Sequence, residues 1–341
     1  MEEFAYDLPA ELIAQRPSPQ RGASRLMVVR RADGSLIHAA FAALPSFVPA
    51  GSVLVVNESR VFPARLTGRK DGGGKVDVLL VRRQPGAAEV WEVMVRASSR
   101  PRAGERVVFA PELWGRWEPG LGNGRAALRL FGPGEISAVL ERVGAVPLPP
   151  YIRRPPEPED RDRYQTVYAK HPGSVAAPTA GLHFTWDLLE TLKEQGVEVL
   201  GLTLHVGPGT FRPVRCEAVE AHEMEAEDFV IGARTAARLE AARAQGRKVV
   251  AVGTTTARAL EAAAASTGMV RAGRRRARLF IRPGYGFRVI DGLLTNFHLP
   301  RSTPLILVCA LAGQALALKA YREAVSRGYR FYSYGDAMLV L

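Results

Sequence analysis

The feature that most constrains the fold is a change of texture across residues 62–147. Short apolar and β-branched runs such as KVDVLLVRR and VWEVMVRA alternate there with turn signals such as DGGG and GLGNG. Evenly spaced short strands and turns are typical of a small antiparallel barrel or sandwich. We therefore predict a β module in this segment.

On either side of that segment, strand-like runs alternate with helical ones. Thr185 is a predicted N-cap in front of WDLLETLKEQ, the strand VEVLGLTLHV follows, and KVVAVG later leads into GTTTARALEAAAA. The predicted fold is an α/β main domain built from both chain ends, residues 1–61 and 148–341, with an inserted small β-barrel-like domain at residues 62–147. The opening segment predicts a short helix over residues 9–15 and a hairpin turned at Asp33 and Gly34.

The charge of the chain favours an acidic partner. The formal net charge is +12, and all but six of the 46 basic residues are arginines, which suit phosphate contacts. The run GRRRAR at residues 273–278 is the best candidate for a nucleic-acid contact. The mixed-sign YIRRPPEPEDRDR, which begins at Tyr151, is interpreted as a solvated linker.

Membrane and metal classes find little support in the sequence. No apolar run approaches the roughly 18–20 residues that a membrane span needs, and the acidic, polar start is unlike a signal peptide. We therefore expect a cytoplasmic protein with no membrane partner. Cys216 and Cys309 are isolated and predicted to be core fillers, and no HExxH or CxxC spacing occurs, so no metal is expected.

Four glycine- or proline-containing loops follow predicted strands and carry hydroxyl or imidazole groups. They are SVAAPTAGLHFT with Thr179, Gly181 and His183; LHVGPGTF with His205; VAVGTTTARALE with Thr254 and Thr255; and FHLPRSTP with His298. Such junctions are where open α/β sheets bind ligands. The threonine run in VAVGTTTARALE is more usual as a helix N-cap, and SVAAPTAGLHFT could also be a packed turn with a hydrogen-bonded core histidine. The residues alone leave both interpretations open.

Two further loops and several missing motifs complete the pattern. PGYGF carries Tyr285, whose ring could stack on a base or pack against the protein. YGDAM places Asp336 at a strand end, where its carboxylate could form a turn or be held for a cationic ligand. The sequence contains no GxGxxG, Walker A or GxSxG motif, which disfavours dinucleotide, P-loop and α/β-hydrolase chemistry.

Taken together, these stretches resemble one family, the S-adenosylmethionine:tRNA ribosyltransferase-isomerases of queuosine synthesis. The resemblance runs from Tyr6 to Val340 in the family's order. Its departures are AHEMEAEDF, where Glu225 stands at the second histidine position of a pattern like HxMHxE, and Gly22-Ala23, where a charged pair is more usual. The matching stretches are YDLPAELIAQRP, SRLMV, LVVNESRVFPARL, GSVAAPTAGLHFT, LHVGPGTFRPV, VGTTTARALE, FIRPGYGF, LLTNFHLPRST and YRFYSYGDAMLV.

The resemblance implies transfer and isomerisation of the ribosyl group of S-adenosylmethionine. The acceptor would be 7-aminomethyl-7-deazaguanine at the wobble position of tRNA, and the products would be epoxyqueuosine-tRNA, adenine and methionine. S-adenosylmethionine would be consumed as a substrate, with no cofactor. We expect a monomer.

Within that frame each candidate residue receives a role. His183 and His205 are the predicted acid–base residues because imidazole can titrate near neutrality. Asp336 would face the sulfonium or the ammonium, and Tyr285 would stack on a base. Arg258 and Arg282 would hold the methionine carboxylate or a phosphate. The remaining substrate-binding candidates are Thr179, Gly181, Thr254, Thr255 and His298, and the tRNA-contacting candidates are Arg274, Arg275 and Arg276.

Two other classes compete with this interpretation. A tRNA methyltransferase would also use S-adenosylmethionine, but it would normally carry a glycine-rich loop after its first strand, and none is apparent. A non-catalytic RNA-binding protein would explain the charge but not the uncharged, histidine-bearing loops.

Overall fold

The computed structural model describes residues 1–86, 89–99, 101–122, 125–207, 219 and 222–341. The strands in these ranges are β1 Arg25–Val29, β2 Leu36–Ala40, β3 Val53–Asn57, β4 Ser59–Val61, β5 Arg65–Lys70, β6 Lys75–Arg83, β7 Val90–Ala97, β8 Arg106–Ala110, β9 Leu113–Gly122, β10 Arg125–Phe131, β11 His171–Ser174, β12 Glu198–Leu204, β13 Glu227–Ile231, β14 Val249–Val252, β15 Gly273–Ala277, β16 Gly292–Asn296 and β17 Ala337–Val340. The α-helices are α1 Ile136–Val143, α2 Asp160–Arg163, α3 Trp186–Glu194, α4 Ala233–Ala244, α5 Thr254–Ala264, α6 Thr303–Ala312 and α7 Gln314–Ser326. Short 3₁₀ helices span Glu2–Phe4, Ala10–Leu12, Phe41–Ser46 and Thr179–His183.

A nine-stranded mixed sheet forms the main body, in the order β15-β13-β12-β3-β14-β16-β17-β1-β2. The neighbours β12, β3, β14 and β16 run parallel, whereas β17 pairs antiparallel with β16 and parallel with β1. All five residues of β3 are buried, as a central parallel strand covered on both faces requires. The predicted hairpin is confirmed as the antiparallel pair β1 and β2.

Helices cover both faces of this sheet, which confirms the α/β class. Along β3, Val53 and Val55 join the core beneath α4 to α7, while Leu54 and Val56 join the core beneath α3 and the 3₁₀ helix Phe41–Ser46. Successive side chains of a strand point to opposite faces, so one apolar run supplies both cores.

The inserted segment forms a closed six-stranded barrel, as predicted, in the order β10-β7-β6-β5-β8-β9. Its interior is apolar, and α1 contributes Ile136, Val139 and Leu140 to the same core. The chain returns from the barrel beside its point of entry, through a bridge between Arg65 and Ala145. All six strands lie within residues 65–131. The boundaries of the inserted domain, residues 62 and 147, stay a prediction.

The expectation of a solvated linker after Tyr151 is wrong. Asp160 is 1% exposed and accepts hydrogen bonds from both Arg154 Nη atoms and from Tyr334 Oη. Ile152 and Tyr164 are buried in the same small core. One arginine–carboxylate pair of this stretch, Arg154 with Asp160, is therefore held inside the fold, where the two charges neutralise each other. Other charged residues of the stretch, such as Arg153 and Glu159, are exposed.

The predicted helix over residues 9–15 is also wrong, since only Ala10–Leu12 forms a 3₁₀ helix. Ile13 leaves helical geometry to bridge Phe331, and the Ala14 N–H donates to the Phe331 carbonyl. A strand-like tertiary contact thus replaces the next helical turn.

Helix α6 is apolar and largely buried, and it carries Cys309 in the core as predicted. Cys216 lies outside the described residues. No single helix in the described ranges is long and apolar enough to cross a membrane; α6 and α7 pass together by length and composition, but they are bent by 119°.

Candidate active site

A cleft of about 810 Å³, including its open mouth, lies where β14 and β16 end. These parallel neighbours stand on the side of β3 opposite β12, so the chain switches sides of the sheet at this point. Open α/β sheets bind ligands at such a switch. The lining residues are Tyr151, Ala177, Pro178, Thr179, Ala180, Val206, Gly253, Thr254, Thr255, Thr295, Asn296, His298, Leu299, Pro300, Ser302, Pro304, Tyr332 and Ser333.

One wall is the start of α5. Gly253 precedes the helix with φ of +94°, a conformation that favours glycine, and no side chain caps the helix. Thr254 and Thr255 of the first turn line the cleft, so the positive end of the helix dipole faces it. Thr256 instead turns its hydroxyl back to the Val252 carbonyl at 2.7 Å.

Another part of the lining comes from the 3₁₀ helix Thr179–His183 and the residues before it. Thr179 lines the cleft together with Ala177, Pro178 and Ala180. These small side chains leave room for a flat molecule near the backbone. Gly181 does not line it: a Cβ at this position would lie 2.1 Å from Tyr168 Oη, so this glycine is required for packing and not for ligand approach.

The end of β16 forms the floor. Thr295 Oγ1 lies 2.8 Å from His298 Nε2, and burial lowers the pKa of His298 from 6.5 to about 3. The His298 backbone is fixed as well, because its carbonyl accepts from Tyr6 Oη and its N–H donates to Tyr321 Oη. His298 is therefore a neutral, oriented imidazole at neutral pH.

Two tyrosines that the sequence did not single out form an aromatic wall. The rings of Tyr151 and Tyr332 lie 3.9 Å apart between centroids, and Tyr151 Oη lies 2.5 Å from Ser333 Oγ. Tyr332 has φ of +72°, a strained value for a bulky residue and one that clusters at functional sites. The matching stretch YRFYSYGDAMLV contained Tyr332 but gave no sign of which tyrosine mattered.

The cleft is uncharged. Its lining within the described residues includes no lysine, arginine, aspartate or glutamate, so polarity comes from hydroxyls, one amide and one imidazole. Such a surface suits a flat, neutral group and leaves a bound cation to be met by aromatic faces.

His183 lies behind the cleft, not in its lining. Its Nδ1 is 2.7 Å from Ser24 Oγ and its Nε2 is 3.2 Å from Asn296 Nδ2. Burial lowers the pKa of His183 to about 4, so the expectation that it titrates near neutrality is wrong. A second cavity, of about 320 Å³, is lined by His183 together with Ser24 and Arg21.

His205 follows β12, half-buried against Gly173, where a Cβ would come within 3.0 Å of its ring. Burial, and then the charges of Arg274 and His171, lower the pKa of His205. Its Nδ1 is buried and makes no hydrogen bond within the described part of the chain. Its neighbour Val206 lines the cleft, but His205 is not among the lining residues, and residues 208–211 of the following GPGTF loop lie outside the described residues.

Two predicted ligand-binding charges are instead paired inside the protein. Asp336 is 2% exposed and accepts from Arg25 Nη2 at 3.0 Å and from the Arg330 N–H at 2.8 Å. Arg258 is 6% exposed and lies 2.8 Å from Glu227. Both lie outside the described lining, and each makes a charge contact within the protein, as a buried charge requires. Arg258 Nη2 is buried and makes no hydrogen bond within the described part of the chain.

Tyr285 and Arg282 also lie away from the cleft. Tyr285 Oη donates to Glu261 Oε2 at 3.1 Å, and its ring meets Phe287 edge-on, so the tyrosine is anchored by Glu261. Arg282 is exposed on the loop before it.

The three tRNA-contacting candidates lie on β15, at one edge of the main sheet. Arg274 and Arg276 are exposed, whereas Arg275 donates to the Ala263 carbonyl at 2.9 Å. Arg276 Nε lies 3.5 Å from Asp228. Within the described residues, no group of three or more histidine, cysteine, aspartate or glutamate side chains is placed to hold a metal ion.

Fold and cleft together define an α/β enzyme with an inserted β-barrel and a candidate site at a switch in strand order. The model of the queuosine biosynthesis protein family matches residues 1–340, and the chain belongs to that family.

Relatives and a solved structure agree with this assignment. An S-adenosylmethionine:tRNA ribosyltransferase-isomerase of Syntrophotalea carbinolica is 50% identical over 341 residues, covering 100% of this chain and 99% of its own. One of Moorella thermoacetica is 51% identical over 344 residues, covering 100% and 99%. The crystal structure of S-adenosylmethionine tRNA ribosyltransferase from Thermotoga maritima is 34% identical, covers 99% of this chain and 100% of its own, and has a TM-score of 0.56.

Proposed function

We propose that this protein moves and isomerises the ribosyl group of S-adenosylmethionine onto a 7-aminomethyl-7-deazaguanine base at the wobble position of tRNA, releasing adenine and methionine. The observation that carries the proposal is the uncharged cleft at the ends of β14 and β16. Three of the stretches that resemble the family, APTAGLH, VGTTT and TNFHLPRST, converge there.

Each part of S-adenosylmethionine has a counterpart in this cleft. The first turn of α5, with Thr254 and Thr255, offers N–H and hydroxyl groups to the methionine carboxylate. The Tyr151 and Tyr332 rings offer their faces to the sulfonium, which finds no carboxylate among the described lining residues. Small residues around Pro178 accommodate the planar base.

The reaction needs a proton acceptor, because the sulfonium acidifies the adjacent 5′ carbon and the aminomethyl group attacks only when neutral. We assign this role to His298 and not to His183 or His205. Among the described lining residues it is the one imidazole, and its Nε2 lies 2.8 Å from Thr295 Oγ1. We choose it for this position in the cleft, because burial lowers its pKa and by itself weakens it as a base. A proton that moves to His298 stays within the cleft and is available for the departing adenine.

The decisive experiment supplies S-adenosylmethionine labelled in its ribose or in its methyl group, together with tRNA that bears the aminomethyl base, and measures which label enters the tRNA. Ribose label in the tRNA and free adenine are expected. Methyl label in the tRNA would instead identify a methyltransferase, and no transfer would identify a binding protein.

The role of His298 is tested by His298→Ala. Turnover should fall about 10²- to 10⁴-fold, the range usual for general acid–base groups, while S-adenosylmethionine still binds. The control is His38→Gln. His38 lies on β2, where its ring hydrogen-bonds the Tyr329 hydroxyl, and this variant should retain turnover. Turnover within tenfold of the parent for His298→Ala would exclude the assignment.

A further inference from the structure

The side chain of Asn296 ends β16 at the cleft floor and is 2% exposed. Its Oδ1 is buried and accepts no hydrogen bond within the described part of the chain. An unsatisfied buried acceptor costs free energy, and such atoms are rare in folded proteins. Because Asn296 lines a ligand-sized cleft, this oxygen marks a place where a ligand donor completes the site.

The orientation of the amide is fixed by two acceptors. Nδ2 donates to the Tyr332 carbonyl at 3.0 Å and faces His183 Nε2 at 3.2 Å. Rotating the amide by half a turn would set its oxygen against the Tyr332 carbonyl, which repels it. The amide oxygen is therefore left as the polar atom of this side chain without a partner in the described part of the chain.

His183 and Ser24 hold this arrangement from behind. Burial keeps His183 neutral, and with Nε2 accepting from Asn296 its proton lies on Nδ1, which donates to Ser24 Oγ at 2.7 Å. The polar chain Ser24–His183–Asn296 thus runs from the residue before β1 to the cleft, and His183 is a positioning residue.

We propose that Asn296 Oδ1 accepts a hydrogen bond from the 6-amino group of the adenine of S-adenosylmethionine. The proposal rests on the proposed function and names its base-recognition residue. A neutral amide oxygen in an uncharged cleft suits a neutral N–H on a flat ring, whereas the ammonium of the methionine part would need a carboxylate. The small side chains of Ala177 and Ala180 line the same cleft and leave space for the ring.

Recognition by a buried acceptor predicts discrimination against analogues that lack the donor, because the acceptor then stays unpaired. The parent enzyme should use S-adenosylmethionine at least about 100-fold better, in kcat/KM, than the analogue with hydrogen in place of the 6-amino group. Leucine is similar in shape to asparagine but has no acceptor, so Asn296→Leu should bring this ratio of kcat/KM values to within a few-fold of one. The change should come from a lower kcat/KM for S-adenosylmethionine and not from a higher kcat/KM for the analogue.

Ser24→Ala tests the positioning chain without altering the cleft surface. It should lower the ratio about 3- to 10-fold, and Ser326→Ala, at an exposed hydroxyl of α7, should leave it unchanged. If Asn296→Leu does not fold, Ser24→Ala and competition between adenosine and purine riboside for the parent enzyme carry the test, with adenosine expected to bind at least tenfold tighter.

The outcomes separate the two proposals. No ribosyl transfer by the parent enzyme overturns the proposed function. Transfer with equal use of both analogues, or a ratio that Asn296→Leu leaves intact, overturns the role of Asn296 alone. A variant in which only the KM for tRNA rises would place Asn296 against the modified base and also contradict the proposal.

Discussion

Asp336 and Arg25 form a paired contact in which the carboxylate accepts from both the Arg25 backbone N–H, at 2.9 Å, and its guanidinium, at 3.0 Å. The pair joins β1 to the residue in front of β17, two parallel neighbours in the sheet. Arg25 also lies over the Tyr329 ring at 4.1 Å. Because the carboxylate also accepts from the Arg330 N–H, it helps to fix the turn that carries Tyr332.

Replacing Asp336 by asparagine should lower the free energy of unfolding by about 2–4 kcal/mol, since a buried charge network loses its anion. Urea unfolding measures the change. Glu190→Gln, in the exposed pair with Lys193, is the control and should cost under about 0.5 kcal/mol. Full stability together with lost turnover would return Asp336 to a ligand-binding role.

Acid should weaken the fold through two neutral histidines. The folded-state pKa values of His183 and His298 are lowered to about 4 and about 3, so below pH 6.5 the unfolded chain binds more protons than the folded one. Stability should therefore fall as the pH drops from about 6.5 towards 4, by up to about 1.4 kcal/mol per pH unit for each histidine.

The variant that checks this linkage is His183→Gln, compared with the parent by urea unfolding at pH 7, 6 and 5. The slope of its unfolding free energy against pH should be flatter than that of the parent by up to one proton. Equal slopes for His183→Gln and the parent would contradict the burial of a neutral ring.

Adding a methyl group at Gly181 should destabilise the protein by about 1–3 kcal/mol, because the new Cβ would overlap Tyr168 Oη at 2.1 Å. Thermal or urea unfolding of Gly181→Ala gives the number. Combining it with Tyr168→Phe should recover part of the loss, since the overlapping oxygen is gone. Gly286→Ala, where a Cβ meets nothing within 4 Å, should cost little; an equal loss at both glycines would refute the packing argument.

The edge strand β15 should contribute to tRNA affinity by neutralising phosphates. Arg274→Ala with Arg276→Ala should weaken tRNA binding and reduce the slope of log K against log salt by roughly one for each phosphate that is no longer neutralised. Filter binding across a salt series measures both. Lys319→Ala with Arg322→Ala, both exposed on α7, is the charge-matched control. An unchanged slope in the double variant would remove β15 from the interface.

Part of the fold and site followed from the sequence because local patterns encode them. The spacing of turns predicted the barrel, and Thr185 caps α3 as expected, accepting from the Leu188 N–H at 3.2 Å. Thr254 and Thr255 were found by their position between a strand and a helix. In each case the signal lies in one continuous segment of the chain.

The remaining features depend on contacts between distant residues. Asn296 is notable only because the Tyr332 carbonyl and His183, 36 and 113 residues away, occupy its Nδ2. The burial of Asp160 likewise depends on a distant residue, because Tyr334 Oη, near the other end of the chain, donates to the carboxylate that Arg154 pairs with. No local pattern contains that information.

The strand order has a consequence for folding of the chain during its synthesis on the ribosome. The barrel has all its strands within residues 65–131, so it can close early in synthesis. By contrast, β3 waits for β12 and β14, and β1 waits for β17, where Val29 pairs with Val340. A nascent chain therefore carries one finished module beside an unfinished sheet whose apolar strands need protection from aggregation until more than 200 further residues have emerged.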